Sequence, residues 1–163
     1  MSKLPKIACY GEILWDVFPD LKRLGGAPLN VALRLHSFGA EVTMISAVGK
    51  DALGDEALTA IEATNLDTSF IQKVANPTGQ VTVTLDVKGS ASYDIEAGAA
   101  WDEIKATDDA LKAVKEADAL VIGSLAFRES HNLQAIESLI EIASYTIFDL
   151  NLRAPHYLSL IHI

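Results

Sequence analysis

The chain has 163 residues, half of them hydrophobic, with 13 Lys plus Arg against 22 Asp plus Glu and a formal charge of −9. This is globular composition long enough for one domain with a real core, and too acidic and patch-poor for nucleic-acid binding. One cysteine, Cys9, excludes an internal disulfide and any cysteine-based zinc site. The N-terminus has no apolar signal core, and the apolar stretches Ala119 to Phe127 and Ile142 to Phe148 fall far short of the roughly 20 residues of a membrane span. A cytoplasmic protein with no membrane partner is expected.

Ile7 to Tyr10 is a short apolar run ended by Gly11 and predicts a buried first strand. A helix follows from Pro28, a residue suited to a first helical turn, to Gly39, a glycine suited to the position after a helix end. Its inward face is expected at Val31, Leu35 and Phe38. Val42 to Val48 is the next strand, and a helix from about Leu53 to Thr64 turns Leu58 and Ile61 inward.

The middle of the chain changes period. Val81, Val83, Leu85 and Val87 alternate with Thr82, Thr84, Asp86 and Lys88, and beyond Gly89-Ser90, Ala91, Tyr93 and Ile95 alternate with Ser92, Asp94 and Glu96. That is a hairpin with one apolar and one wet face. Ala119 to Ile122 and Tyr145 to Phe148 are instead continuous apolar runs, as in strands covered on both sides. Thr107 can cap a helix with Ala110, Leu111, Val114 and Ala117 facing in; Ser130 can cap another with Leu133, Ile136, Leu139, Ile140 and Ala143 inward. Alternating strands and helices predict an α/β fold, a doubly wound parallel sheet with helices on both faces, to which the hairpin is an appendage.

Two nucleotide-binding signals are absent. Gly11 has no partner glycines for a dinucleotide loop, and Gly49-Lys50 is followed by Asp51 where a phosphate loop needs Ser or Thr. The histidines, His36, His131, His156 and His162, are scattered, which suits surface positions better than metal ligation. No metal site is expected within the chain.

The stretch Gly25-Gly26-Ala27-Pro28-Leu29-Asn30 is the most informative. Two glycines let backbone approach a ligand, the helix start offers unpaired N–H groups, and Asn30 carries both donors and acceptors, as a polyol requires. By themselves these residues equally describe an ordinary loop-to-helix junction. The longer spacing adds Ala32, then Gly39 after six residues and Gly49 after nine more. This pattern resembles the first signature of the ribokinase-like (PfkB) carbohydrate kinases. Gly11-Glu12 through Asp16, Gly49 to Gly54, Pro77-Thr78-Gly79 and Phe148-Asp149-Leu150-Asn151-Leu152-Arg153 agree in order, and the combination is most similar to bacterial fructokinases.

The resemblance implies a Rossmann-like sheet with a small β lid that covers the sugar, here approximately residues 12–19 and 71–96, and that often pairs two copies into a homodimer. It implies transfer of the γ-phosphoryl of ATP, with Mg2+, to a sugar hydroxyl, most similar to fructose phosphorylation. Another sugar, a nucleoside, or a non-catalytic sugar-binding module are the alternatives. The family's sugar contacts fall on Asp16, Gly25, Gly26 and Asn30. Asp16 in an alternating strand could equally be a solvated residue sharing a face with Leu14. Asn151 and Arg153 follow a buried strand at the carboxyl edge, where open α/β sheets bind ligands. Arg153 could contact substrate or phosphate, or pair with a helix end, and Arg128 is similarly placed after another strand. Trp15, Trp101 and Tyr93 are expected to be packing residues.

The family's general base and most of its ATP site lie in a Gly-Ala-Gly-Asp segment and an Asn-x-x-Glu motif, neither of which occurs here. No catalytic residue is therefore expected within these 163 residues, and residues 1–157 correspond to the N-terminal part of such a kinase domain. Leu158 to Ile163 depart from the family pattern and read as a non-native tail, or as a short terminal strand.

Overall fold

The computed structural model describes residues 4–85 and 91–151. The hairpin turn with Val87, the Arg153 position and the tail at 158–163 lie outside the described residues.

Five strands form one fully parallel sheet: β1 (Lys6–Tyr10), β4 (Glu41–Gly49), β5 (Ile71–Val74), β8 (Ala119–Gly123) and β9 (Thr146–Asp149), in the order β5-β4-β1-β8-β9. Successive side chains of a strand point to opposite faces, and here each face feeds a different core. On one side, Cys9, Met44 and Val121 pack with Leu29 and Ala32 of α1 (Ala27–Ser37) and Ala57 and Ile61 of α2 (Ala52–Glu62). On the other, Tyr10, Ile45, Leu120 and Ile122 pack with Val114 of α3 (Asp108–Glu116) and Ile136 and Leu139 of α4 (Ser130–Ile142). This is the predicted doubly wound arrangement.

A second, mixed sheet holds β2 (Leu14–Val17), β3 (Lys22–Gly25), β6 (Gly79–Leu85) and β7 (Ala91–Ile95), in the order β3-β2-β6-β7. β2 runs antiparallel to β3 and parallel to β6, and β6 runs antiparallel to β7, pairing Val81 with Ile95 and Val83 with Tyr93. Val81 and Val83 are buried while Thr82 and Thr84 are exposed, so the period-two reading of this segment is met.

Several local expectations need correction. Ile71–Val74, expected in the lid, is the edge strand of the parallel sheet, paired with β4. Ile71 is buried with Ile61 and Leu66, whereas Lys73, two residues along the same face, is exposed and ion-paired with Asp55, as suits an edge strand. The inward face of α1 is Pro28, Leu29 and Ala32; Val31 and Leu35 only flank it, and Phe38 is 75% exposed, lying near the Arg34 guanidinium. Thr107 caps α3, its hydroxyl accepting from the Ala110 N–H, but Ser130 is the first residue of α4 and Glu129 holds the cap position without a side-chain hydrogen bond. Among the described residues β9 is the outermost strand of the sheet, and Ile147 and Phe148 on it are 44% and 43% exposed.

Candidate functional site

A cleft of about 170 Å³ opens at the carboxyl ends of the parallel strands, between the start of α1 and the apolar face of the small sheet. Each wall follows from local sequence. Leu14 and Asp16 alternate with Trp15 along β2, so both turn toward the cleft. Trp15 turns into the core, where its indole N–H donates to the Leu53 carbonyl at 3.1 Å. Val81, Tyr93 and Ile95 form the apolar cover.

The glycine pair shapes the floor. Gly26 precedes α1 at φ +113°, and a Cβ there would stand 2.2 Å from the Glu12 carbonyl oxygen. No larger residue fits without moving that backbone. Gly25 pairs with Leu14 across β2 and β3, and a Cβ on it would meet the Asp16 carboxylate at 2.5 Å. Gly25 thus leaves the space that Asp16 occupies. Asn30 lies one helical turn on, its N–H bonded to the Gly26 carbonyl at 2.9 Å and its side chain at the cleft.

The structure therefore brings Asp16, Gly26, Asn30 and Asn151 to one cleft, with Gly25 packed behind Asp16. Asn151 follows β9 at positive φ, +28°, its N–H donating to the Asp149 carboxylate at 3.0 Å. Arg153 lies outside the described residues. Arg128 is committed elsewhere: its Nε donates to Asp102 at 2.8 Å, its Nη2 donates to the Glu96 carbonyl at 2.7 Å, and its guanidinium stacks 3.7 Å over the Trp101 ring. Tyr93, expected in packing, is 42% exposed and lines the cleft.

One cleft residue was not singled out from the sequence. Glu12 is 1% exposed; its Oε1 accepts the Ala27 N–H at 3.0 Å, supplying the side-chain cap that Gly26 cannot provide to α1. Burial pushes its carboxyl up to about 7, against the pull of its own N–H and that of Ala27, with Asp149 raising and Arg128 lowering it further. The available signal was a lone charged residue inside the otherwise apolar run from Ile7 to Trp15. Its neighbour Cys9 is an ordinary buried thiol, pushed up to about 12 by burial.

The charged side chains that line the cleft among the described residues, Glu12 and Asp16, are both acidic. With Asn30, Asn151 and the α1 backbone they can exchange hydrogen bonds with a neutral, hydroxyl-rich ligand, while Val81 and Ile95 meet its C–H faces. Among the described residues no three His, Cys, Asp or Glu side chains converge, so ligands for Mg2+ are not assigned within them.

The chain is 31% identical over 163 aligned positions to a sugar kinase of Pyrococcus horikoshii, covering 90% of this chain and 52% of that one. The crystal structure of that protein in complex with ATP superposes with a TM-score of 0.85 over 96% of this chain and 56% of its own, at 27% identity. A 5-dehydro-2-deoxygluconokinase of Clostridium beijerinckii is 27% identical over 83% of this chain and 42% of its own length. A fructokinase of Vibrio alginolyticus is 26% identical over 88% and 50%. The chain thus spans about half the length of the curated relatives it matches. The profile of the pfkB family carbohydrate kinases matches residues 5–161, and the chain belongs to that family.

Proposed function

We propose that residues 1–157 are the sugar-binding part of an ATP-dependent sugar kinase, a phosphotransferase with an alcohol acceptor, and that its acceptor is fructose. The observation that carries this reading is the cleft itself. Asp16, Asn30 and the Gly26 turn converge under an apolar cover at the edge where α/β sheets take ligands. In this reading Asp16 accepts hydrogen bonds from sugar hydroxyls, Asn30 and Asn151 donate and accept beside it, and Gly25 and Gly26 keep the floor open. The small sheet acts as the lid, and a second copy docking on it is the pairing that the family resemblance implies.

The names of the relatives leave two acceptor classes, a neutral ketose and a gluconate-type acid. Charge favours the first. Asp16 would repel a carboxylate substrate, and among the described residues that line the cleft there is no Lys, Arg or His to pair with one. The phosphoryl donor, its Mg2+ and the base that takes the hydroxyl proton belong to the complete kinase, because the Gly-Ala-Gly-Asp segment is absent from these residues.

The test is ADP formation by the full-length protein offered fructose, ribose, a nucleoside and 5-dehydro-2-deoxygluconate in turn. Fructose is expected to give the highest kcat/KM. Preference for the acid would overturn the assignment of the acceptor, and absence of turnover with all four would favour a binding module.

A further inference from the structure

Three buried side-chain atoms lack a hydrogen-bond partner among the described residues: Glu12 Oε2, Arg128 Nη1 and Asn132 Oδ1. Of their residues, only Glu12 lines the cleft. An unpartnered buried polar atom costs stability, and one carried by a residue that lines a cavity points to a ligand group that completes it.

The two oxygens of Glu12 have different surroundings. Oε1 is occupied by the Ala27 N–H at the head of α1. Oε2 stands beside Gly123, where a Cβ would lie 3.7 Å from it, and near the Pro28 ring that meets the same position. Neither neighbour offers a side-chain donor. Glu12 itself lines the cleft, on the side opposite the cover made by Val81, Tyr93 and Ile95. The N-terminus of the 11-residue helix α1 opens into the same space.

Resting on the reading of this cleft as a sugar site, we propose that Glu12 is a second substrate-contacting carboxylate, whose Oε2 accepts a hydrogen bond from a sugar hydroxyl at the floor. Asp16 and Glu12 then hold the sugar from two sides, and an acceptor lacking the floor hydroxyl is discriminated against because Oε2 stays unpaired. The raised carboxyl, at about 7, adds a consequence. A hydroxyl donated to Oε2 favours the ionised form, so the proton held there is released to the buffer when sugar binds near neutral pH. Among the described residues, the other charged or titratable groups around Glu12 are Asp16 and Tyr93 in the cleft, Asp149 at the end of β9, and Arg128.

The test is calorimetric titration of fructose into the full-length protein and its Glu12→Gln and Asp16→Asn variants, near pH 7, in two buffers of different ionisation enthalpy. Glutamine keeps an oxygen for the Ala27 N–H but turns an amide donor toward the floor. Glu12→Gln is therefore expected to fold, to bind fructose about tenfold to a hundredfold more weakly, and to lose the buffer-dependent heat seen with the unmodified protein. Binding within twofold of the unmodified protein, or proton release that persists in Glu12→Gln, would overturn the proposal. If that variant does not fold, the unmodified protein decides, since fructose binding without proton release would overturn it equally. Loss of binding in Asp16→Asn with none in Glu12→Gln would remove only Glu12 from the site. Absence of fructose binding by the unmodified protein would remove the sugar-site reading itself.

Discussion

Thr78 is held by Asp51 through two hydrogen bonds, its N–H donating to Oδ2 at 2.8 Å and its hydroxyl donating to Oδ1 at 2.7 Å. The same Oδ1 accepts the Gly54 N–H at 2.8 Å as the cap of α2, and Thr78 in turn accepts the Gly49 N–H at 2.9 Å. One carboxylate therefore joins the end of β4, the start of α2 and the residue that leads into β6. The small sheet is anchored to the large one at this point.

Asp51→Ala is expected to cost about 2–3 kcal/mol in urea unfolding, from the lost cap and the stranded Thr78 N–H. Burial works against ionisation of Asp51, but the Thr78 N–H and hydroxyl and the Gly54 and Leu53 N–H groups outweigh it and hold the carboxyl below its ordinary value of 3.8. The contribution of this group is thus present above the unfolded value and lost as pH falls below it. The acid limb of the unfolding curve is expected to flatten in Asp51→Asn, and an unchanged limb would contradict the assignment.

Glu12 has the opposite sign. Its carboxyl is raised from an ordinary 4.5 to about 7, so the folded state holds a proton that the unfolded state has lost between those values. Its contribution is fullest below about 4.5 and declines as pH rises to about 7, by on the order of 3 kcal/mol. Glu12→Gln is expected to melt higher than the unmodified protein at about pH 8 and to remove that decline, as read by thermal melts across the range. A substitution that stabilises while weakening sugar binding is the signature of a residue retained for its site.

Arg128 and Asp102 form a buried ion pair, with side chains 5% and 3% exposed, and Arg128 also holds the Glu96 carbonyl just beyond β7. Arg128→Ala leaves Asp102 buried without its partner and is expected to destabilise by about 3–5 kcal/mol. Replacing both by well-packed apolar residues is expected to recover much of that loss. Urea unfolding of the single and double variants measures the difference.

Much of the fold was legible because burial on two faces writes itself into strand sequences. Ala119 to Ile122 is continuously apolar and serves both cores, whereas Val81 to Thr84 alternates and covers one face. Tyr145 to Phe148 is apolar in the same way, and within the described residues it is the outermost strand, with Ile147 and Phe148 exposed. The logic failed for Ile71–Val74, whose short mixed pattern suits an edge in either sheet. In the cleft, Asp16 and Asn30 were legible through their motif spacing, while the shared face of Leu14 and Asp16 described a solvated residue equally well. Glu12 and the commitment of Arg128 were not, because both depend on partners far away in sequence: Ala27 for the one, Asp102 and Glu96 for the other. Helix rotation about α1 was equally out of reach, since Val31-Leu35-Phe38 and Leu29-Ala32 are neighbouring stripes of one apolar surface.

Gly26→Ala tests the floor. The residue is held at φ +113°, and the added methyl meets the Glu12 carbonyl. A loss of about 1–3 kcal/mol in stability is expected from the strained backbone alone, together with loss of fructose binding. A variant that folds, melts and binds as the unmodified protein would show that the floor is not where it is placed here.

The most direct test of the sugar-site reading is steady-state phosphorylation of fructose by full-length protein carrying Asp16→Ala. Asp16 is only partly buried, so the variant is expected to fold and melt close to the unmodified protein. Its KM for fructose should rise, or its fructose kcat/KM fall, by about tenfold or more, with the KM for ATP little changed. Fructose kinetics indistinguishable from those of the unmodified protein would contradict the claim that this cleft binds the sugar.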